Sequence, residues 1–323
     1  MRLLLALLLT LPLAPDAGAQ HNQYTLTEEG QWELAAAPTD PDELFLAEAA
    51  RLINDGRPGR ARTQLNEWIR RNNFSDNPWL PTALRLRGEA KLAAGNEWDA
   101  LYDFEEVALA FPESPEYVTV IEREFDIAAD YLRGKKRKIL GLRIVSAYST
   151  GVEIMIRVVE RLPQSTLAEE SFRELAQYFL RQRDLASAAL VGQKFDEHFA
   201  TSAMSRDMLL LRITTNWARF KGPRYNGAAL VETRALAERY LEEYPTDENR
   251  SRIEAILVRV DNSAGEHMLE KARWYLQRGD TTSARFTLQR LLRRHPETAA
   301  TAEAMQIMED RGWLDIVEQG AAP

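Results

Sequence analysis

The chain has 323 residues, 45% hydrophobic and 28% charged, with a formal net charge of −8 and no cysteine. An acidic balance argues against a dedicated nucleic-acid binder, which would be basic. The missing thiol excludes disulfides, thiol catalysis and thiolate metal sites.

Residues 1–19 read as a secretory signal: Arg2 is the positive start, residues 3–13 are apolar, and Ala17-Gly18-Ala19 is the small-x-small cleavage site. The mature chain then begins at Gln20. The apolar run is too short to span a bilayer. The most apolar later stretch, 139–159, carries Arg143, Glu153 and Arg157, so no second span is expected. A lipoprotein needs a cysteine directly behind its signal, and Gln20 stands there instead. The expected form is soluble, exported and periplasmic, without a lipid anchor. Residues 20–41 are polar and read as an extended arm. A helix is expected from near Asp42, capped by Asp40 or Asp42.

From there the pattern is helix, short turn, helix, repeated. The first unit turns at Gly56-Arg57-Pro58, and its second helix carries Ala61, Leu65 and Trp68. In the second, Leu84, Gly88 and Lys91 precede the Gly95-Asn96 turn, and Ala100, Phe104 and Val107 precede Pro112. In the third, a helix over 116–132 is followed by Gly134-Lys135-Lys136-Arg137-Lys138 and a helix that ends at Leu162-Pro163. The fourth has Phe172, Ala176 and Phe179, then Ala188, Gly192 and Phe195. The fifth has a long first helix over 208–220, an insertion at 221–227, and a second helix ending at Tyr244-Pro245. The sixth has Met268, Ala272 and Tyr275, the Gly279-Asp280 turn, then Ala284, Leu288 and Leu291 before Pro296. The tail from Trp313 is short and reads as frayed. No strand-like alternation is sustained.

Turn glycine to proline is 17 residues in both the second and the sixth unit, from 95 to 112 and from 279 to 296. A small residue sits five after the glycine, with large apolar residues four and seven further on. That is the second helix of a tetratricopeptide (TPR) unit. The fold class is therefore all-α: a TPR-like α-solenoid of five to six helical hairpins over residues 42–312, with a tail over 313–323. Small residues mark close helix crossings and the large ones fill the core.

No catalytic residues stand out. The histidines His21, His198, His267 and His295 have no HExxH spacing and read as surface or hairpin residues. No GxSxG elbow, P-loop or GxGxxG occurs. Glu105-Glu106, Glu169-Glu170 and Glu242-Glu243 read as solvated helix faces. The chain reads as non-catalytic, with no cofactor and no metal.

Stacked hairpins build a binding surface instead. In a TPR array the first helix of each hairpin lines the groove. The groove positions are Arg85, Glu89 and Leu92; Arg173, Gln177 and Leu180; and Leu269, Arg273 and Leu276. Arginine mixed with leucine suits an extended peptide or a partner loop. The run Lys135, Lys136, Arg137 and Lys138, with Arg143 beyond, is the basic cluster of an acidic chain. Two readings stay open: a contact patch for anionic lipid headgroups or an acidic partner, and a solvated turn. Trp79 and Trp98 flank the second hairpin as partner anchors or as core.

The stretches 95–100 through 111–115, 134–142, 220–226, and 275–280 through 295–298 carry a resemblance. Over roughly Asp42 to Asp310 the chain resembles the BamD-like family of outer-membrane assembly factors. The resemblance implies a periplasmic scaffold at the inner face of the outer membrane. It would dock on the periplasmic domains of a barrel-insertion protein and handle unfolded barrel precursors. Family members of the well-known kind are lipoproteins, so membrane association here would be indirect, through a partner. The alternative function is a periplasmic TPR adaptor for cell-wall synthesis or division.

Overall fold

The computed structural model describes residues 24–26, 32–34, 40–73 and 76–314. The signal over 1–19 and the tail beyond 314 lie outside the described residues. Among the described residues thirteen helices follow one another: α1 (Pro41–Asn54), α2 (Pro58–Asn72), α3 (Leu80–Ala93), α4 (Glu97–Ala110), α5 (Glu116–Leu132), α6 (Tyr148–Arg161), α7 (Thr166–Arg181), α8 (Leu185–His198), α9 (Ser205–Arg219), α10 (Ala228–Glu243), α11 (Arg250–Gln277), α12 (Thr281–Arg294) and α13 (Ala299–Glu309). Each helix packs on its successor, so the fold is an all-α array of antiparallel hairpins.

The turns show why the hairpins form. Gly56, Gly95 and Gly279 have φ of 72°, 72° and 77°, the left-handed conformation that glycine adopts without steric cost. The next residue then donates back across the turn: Arg57 N to Leu52 O at 2.8 Å, Asn96 N to Lys91 O at 2.9 Å, Asp280 N to Tyr275 O at 3.0 Å. This closes the end of one helix. Asp280 also accepts from Ser283 N and so starts the next helix. The same geometry recurs between α7 and α8, where Arg183 holds φ 57° and Asp184 caps α8. At the amino end Asp40 accepts from Asp42 N at 2.8 Å and Pro41 opens α1, so the cap is Asp40.

The small residues let helices close on one another. Gly88 of α3 faces the ring of Phe104 on α4, and Gly192 of α8 faces the stem of Arg212 on α9. Apolar side chains from α1 to α7 form one continuous core that includes Leu65, Leu84, Phe104, Ile121, Tyr131 and Ile154. Smaller cores follow where α7, α8 and α9 meet, then α9, α10 and α11, then α11, α12 and α13.

Three features differ from the sequence expectation. First, the described residues within 20–39 are two paired strands, β1 (Tyr24–Leu26) and β2 (Trp32–Leu34), in antiparallel register Tyr24↔Leu34. Second, the basic stretch is a β-hairpin, β3 (Arg137–Ile139) and β4 (Leu142–Val145), with Leu140-Gly141 as its turn. Both turn residues have positive φ, 49° and 84°, as a tight two-residue hairpin requires. Third, α11 is a single helix of 28 residues. Its first half closes the core with α9 and α10 through Ile253, Ile256 and Val260. Its second half closes the next with α12 and α13 through Leu269 and Ala272. Among the described residues no helix is long and apolar enough to cross a membrane.

Candidate functional site

The odd-numbered helices form the tighter row. α1 packs on α3, α3 on α5, α5 on α7, and α11 on α13, whereas no two even-numbered helices pack comparably. In a curved array the row whose members touch is the inner one. The inner surface over α1–α7 is thus made by the helices on which the groove residues were expected.

On α3, Arg85 and Glu89 are not open. Arg85 donates to Glu89 at 2.8 Å and to Glu116 of α5, and Thr82 donates to Glu116 at 2.7 Å. Arg123 of α5 approaches Glu89 at 3.7 Å. The arginine is 19% exposed and Glu116 16%. These side chains clamp neighbouring hairpins, and their charges are already matched. Leu92 packs half-buried against the core. The α7 positions differ: Arg173 pairs with Glu170 one turn earlier and stays exposed, and Gln177 and Leu180 are exposed beside it.

On α11 the structure places Arg273 in a cleft. It donates to Glu270 at 2.6 Å and reaches Glu303 of α13, and Arg224 from the 221–227 insertion donates to Glu270 at 3.1 Å. Hydrogen bonds from Arg273 and then Arg224 hold Glu270 below the usual carboxylate range. The cleft holds about 460 Å³ between the insertion, α11 and α13. It adjoins a second space of about 560 Å³ beside Lys271, Trp274 and Gln277. Leu269, expected as a groove residue, is buried in the core, because α13 closes over it. Tyr225 of the insertion is 59% exposed and Trp274 47%, with the Arg278 guanidinium stacked 4.1 Å from the Trp274 ring. These aromatic residues were missed in sequence; the turn signature Lys221-Gly222-Pro223 was the available hint. Exposed aromatic rings beside matched charges suit a polypeptide ligand rather than a small anion or a metal.

The basic run is redistributed. Lys135 pairs with Glu97 at 2.9 Å and Asp130 at 2.8 Å. Arg143 Nη2 donates to Glu97 Oε1 at 2.6 Å. Burial pushes the Glu97 carboxyl up, but the hydrogen bonds from Arg143 and Lys135 outweigh it and hold it below the usual range. Arg137 lies 3.4 Å over the Trp98 ring, which also meets Tyr102 edge-on. Lys135 and Arg137, expected as contact residues, therefore fasten the hairpin to α4 instead. Lys136 is exposed and Lys138 half-buried. Trp98 is covered by this contact, and Trp79 donates to Asp40 at 3.1 Å.

Two expectations about lone residues are corrected. His295 is buried, 7% exposed, and bonded to Asp261 at 2.8 Å. Glu105 is not on a solvated face. It receives Arg161 at 2.6 Å, and the same guanidinium holds Glu124 of α5 at 2.8 Å. Burial, aided by Glu105 and opposed by Arg161, pushes Glu124 up to about 8. The two carboxyls lie at the base of a cleft of about 230 Å³ between α4 and α6. Arg161 ties both, and with Glu124 keeping its proton one guanidinium balances the pair as a brace between α4, α5 and α6.

Residues 145–312 match the model of the family described as YfiO, outer membrane lipoprotein. The match runs from the last residue of β4 through α13. No curated protein matches the chain. Among solved structures, a tetratricopeptide repeat protein from Parabacteroides merdae is similar at 13% identity, with a TM-score of 0.36 over 83% of this chain and 98% of that one.

Proposed function

The chain belongs to the YfiO family of outer membrane lipoproteins, and from that premise we propose that it is a non-catalytic scaffold of the bacterial cell envelope that binds other polypeptides. Its place is the periplasm, at the inner face of the outer membrane, and its work is the assembly of outer-membrane β-barrel proteins. The partners are a barrel-insertion protein with periplasmic domains and unfolded barrel precursors. The observation that carries this reading is the family match, which covers the part of the array that holds the Arg273 cleft. Two surfaces support it physically: Leu180 on the inner face of α7, and Tyr225 and Trp274 beside the α11 cleft, present apolar and aromatic surface among charges that are already paired, which suits an extended polypeptide.

The test is affinity recovery of the tagged chain from crosslinked cells, with envelope fractionation alongside. A barrel-insertion protein recovered from the outer-membrane fraction is the expected result. Cell-wall synthetic enzymes in its place, or a purely soluble pool, would overturn the reading.

A further inference from the structure

The β3–β4 hairpin is amphipathic in an unusual direction. Its register pairs Ile139 with Leu142 and Lys138 with Arg143. The pleat therefore puts Ile139 and Leu142 on one face and Lys138 and Arg143 on the other, and a bulge at Ile144 then brings Arg137 opposite Val145. The basic face is the one turned to the body: Arg143 meets Glu97, Lys138 approaches Asn96 at 3.5 Å, and Arg137 covers Trp98. The apolar face looks outward. Leu142 is 63% exposed, Ile144 60%, and Leu140 at the tip 98%.

The tip itself is a costly choice. Its first residue needs positive φ, where asparagine or glycine is favoured, yet it is a leucine with φ 49°. That leucine is strained by its backbone and unfavourable in water, and nothing in the fold uses its side chain. Contiguous exposed apolar surface of this kind marks a contact site.

Charge narrows the occupant. Lys135, Lys136, Arg137, Lys138 and Arg143 outnumber the two carboxylates they meet, Glu97 and Asp130. The hairpin is thus a positive spot on a chain of net charge −8. A second copy meeting hairpin to hairpin would bring like charges together. An anionic lipid surface offers both complements at their proper depths, acyl chains beyond and phosphates behind. We propose that the β3–β4 hairpin docks this protein directly on an anionic lipid surface. Leu140, Leu142 and Ile144 enter the boundary between headgroups and acyl chains, and the exposed Lys136 meets the phosphates. This contact does not depend on the assembly role proposed above; it takes up the lipid reading left open for the basic run and differs from the indirect association that the family resemblance implied.

The experiment is co-sedimentation of the full chain, purified after export, with vesicles of phosphatidylglycerol and phosphatidylethanolamine, and with neutral phosphatidylcholine vesicles. Leu140→Asp is compared with wild type and with Leu190→Asp, which places the same charge at an exposed site on α8. Removing one inserted leucine lowers partitioning on the order of tenfold. The expected result is that loss for Leu140→Asp, wild-type binding for Leu190→Asp, and a weakened preference for anionic vesicles in the Lys136→Glu variant. Far-UV circular dichroism checks that each variant is folded. Equal binding by Leu140→Asp and wild type would overturn the proposal. So would no vesicle binding by wild type, including the case where sedimentation equilibrium shows a self-association that Leu140→Asp breaks.

Discussion

Gly88→Ala tests the packing rule on which the array rests. A Cβ built on Gly88 lies 2.4 Å from Phe104 Cε1 and 2.9 Å from Cδ1 and Cζ. The nearest contact is about 1 Å short of ordinary van der Waals distance. Phe104 is fully buried, so its ring must retreat into close-packed neighbours. Overpacking of this kind costs about 1–3 kcal/mol. Alanine's better helix propensity returns about 1 kcal/mol. The net expectation is a loss of up to about 2 kcal/mol, read as a lower urea midpoint at unchanged m-value. Gly59→Ala on α2 is the control. Its Cβ meets nothing within 4 Å, so stability rises by about 0.4–1 kcal/mol. Phe104→Leu frees space at the contact, so the Gly88→Ala/Phe104→Leu double variant is less destabilised than the sum of the singles, by about 0.5 kcal/mol or more. A Gly88→Ala protein as stable as wild type, with the two substitutions additive, would refute the idea that this glycine sets the approach of α3 to α4.

Two further predictions concern stability. Arg183→Gly relieves a side chain held at φ 57° in the α7–α8 turn, and the urea midpoint should rise by the equivalent of about 0.5–1 kcal/mol; a fall would mean that the arginine contributes more than its backbone strain costs. For Glu124, the folded chain keeps the proton to about pH 8, whereas an ordinary glutamate loses it near 4.5. The folded state therefore binds the extra proton between those values, and this group's contribution to stability is lost as pH rises from about 4.5 through 8. Glu124→Gln removes that titration, so its Tm minus that of wild type should increase from pH 6 to pH 9. A difference that stays flat or falls would contradict the assignment.

The second hairpin was readable because its signals are local: a small residue at 88, a left-handed glycine at 95, and a proline after the helix. Turns without glycine were harder. Arg183 takes the left-handed position, and only Asp184 with Ser187 marks the start of α8. The β3–β4 hairpin was hidden because its tip is Leu-Gly rather than Asn-Gly, and its apolar residues merge into those that open α6. α11 was read only in its second half, since a lone glycine at 265 does not break a helix. At the candidate site, sequence placed Arg85 and Glu89 on the expected helix but not their partners. Glu116 and Arg123 lie on the next hairpin, and no helical spacing links them to α3. Arg273 was placed on its helix, whereas the cleft around it depends on the 221–227 insertion and α13 folding over it.

The most direct test of the scaffold reading is site-specific photocrosslinking in living cells. A photoreactive residue replaces Gln177 on the inner row, Tyr225 in the cleft, or Leu190 on an even-numbered helix. The account predicts crosslinks from positions 177 and 225 to a barrel-insertion protein or to unfolded barrel precursors, and none from position 190. Crosslinks from position 190 alone, or from all three positions to cell-wall synthetic enzymes, would contradict it.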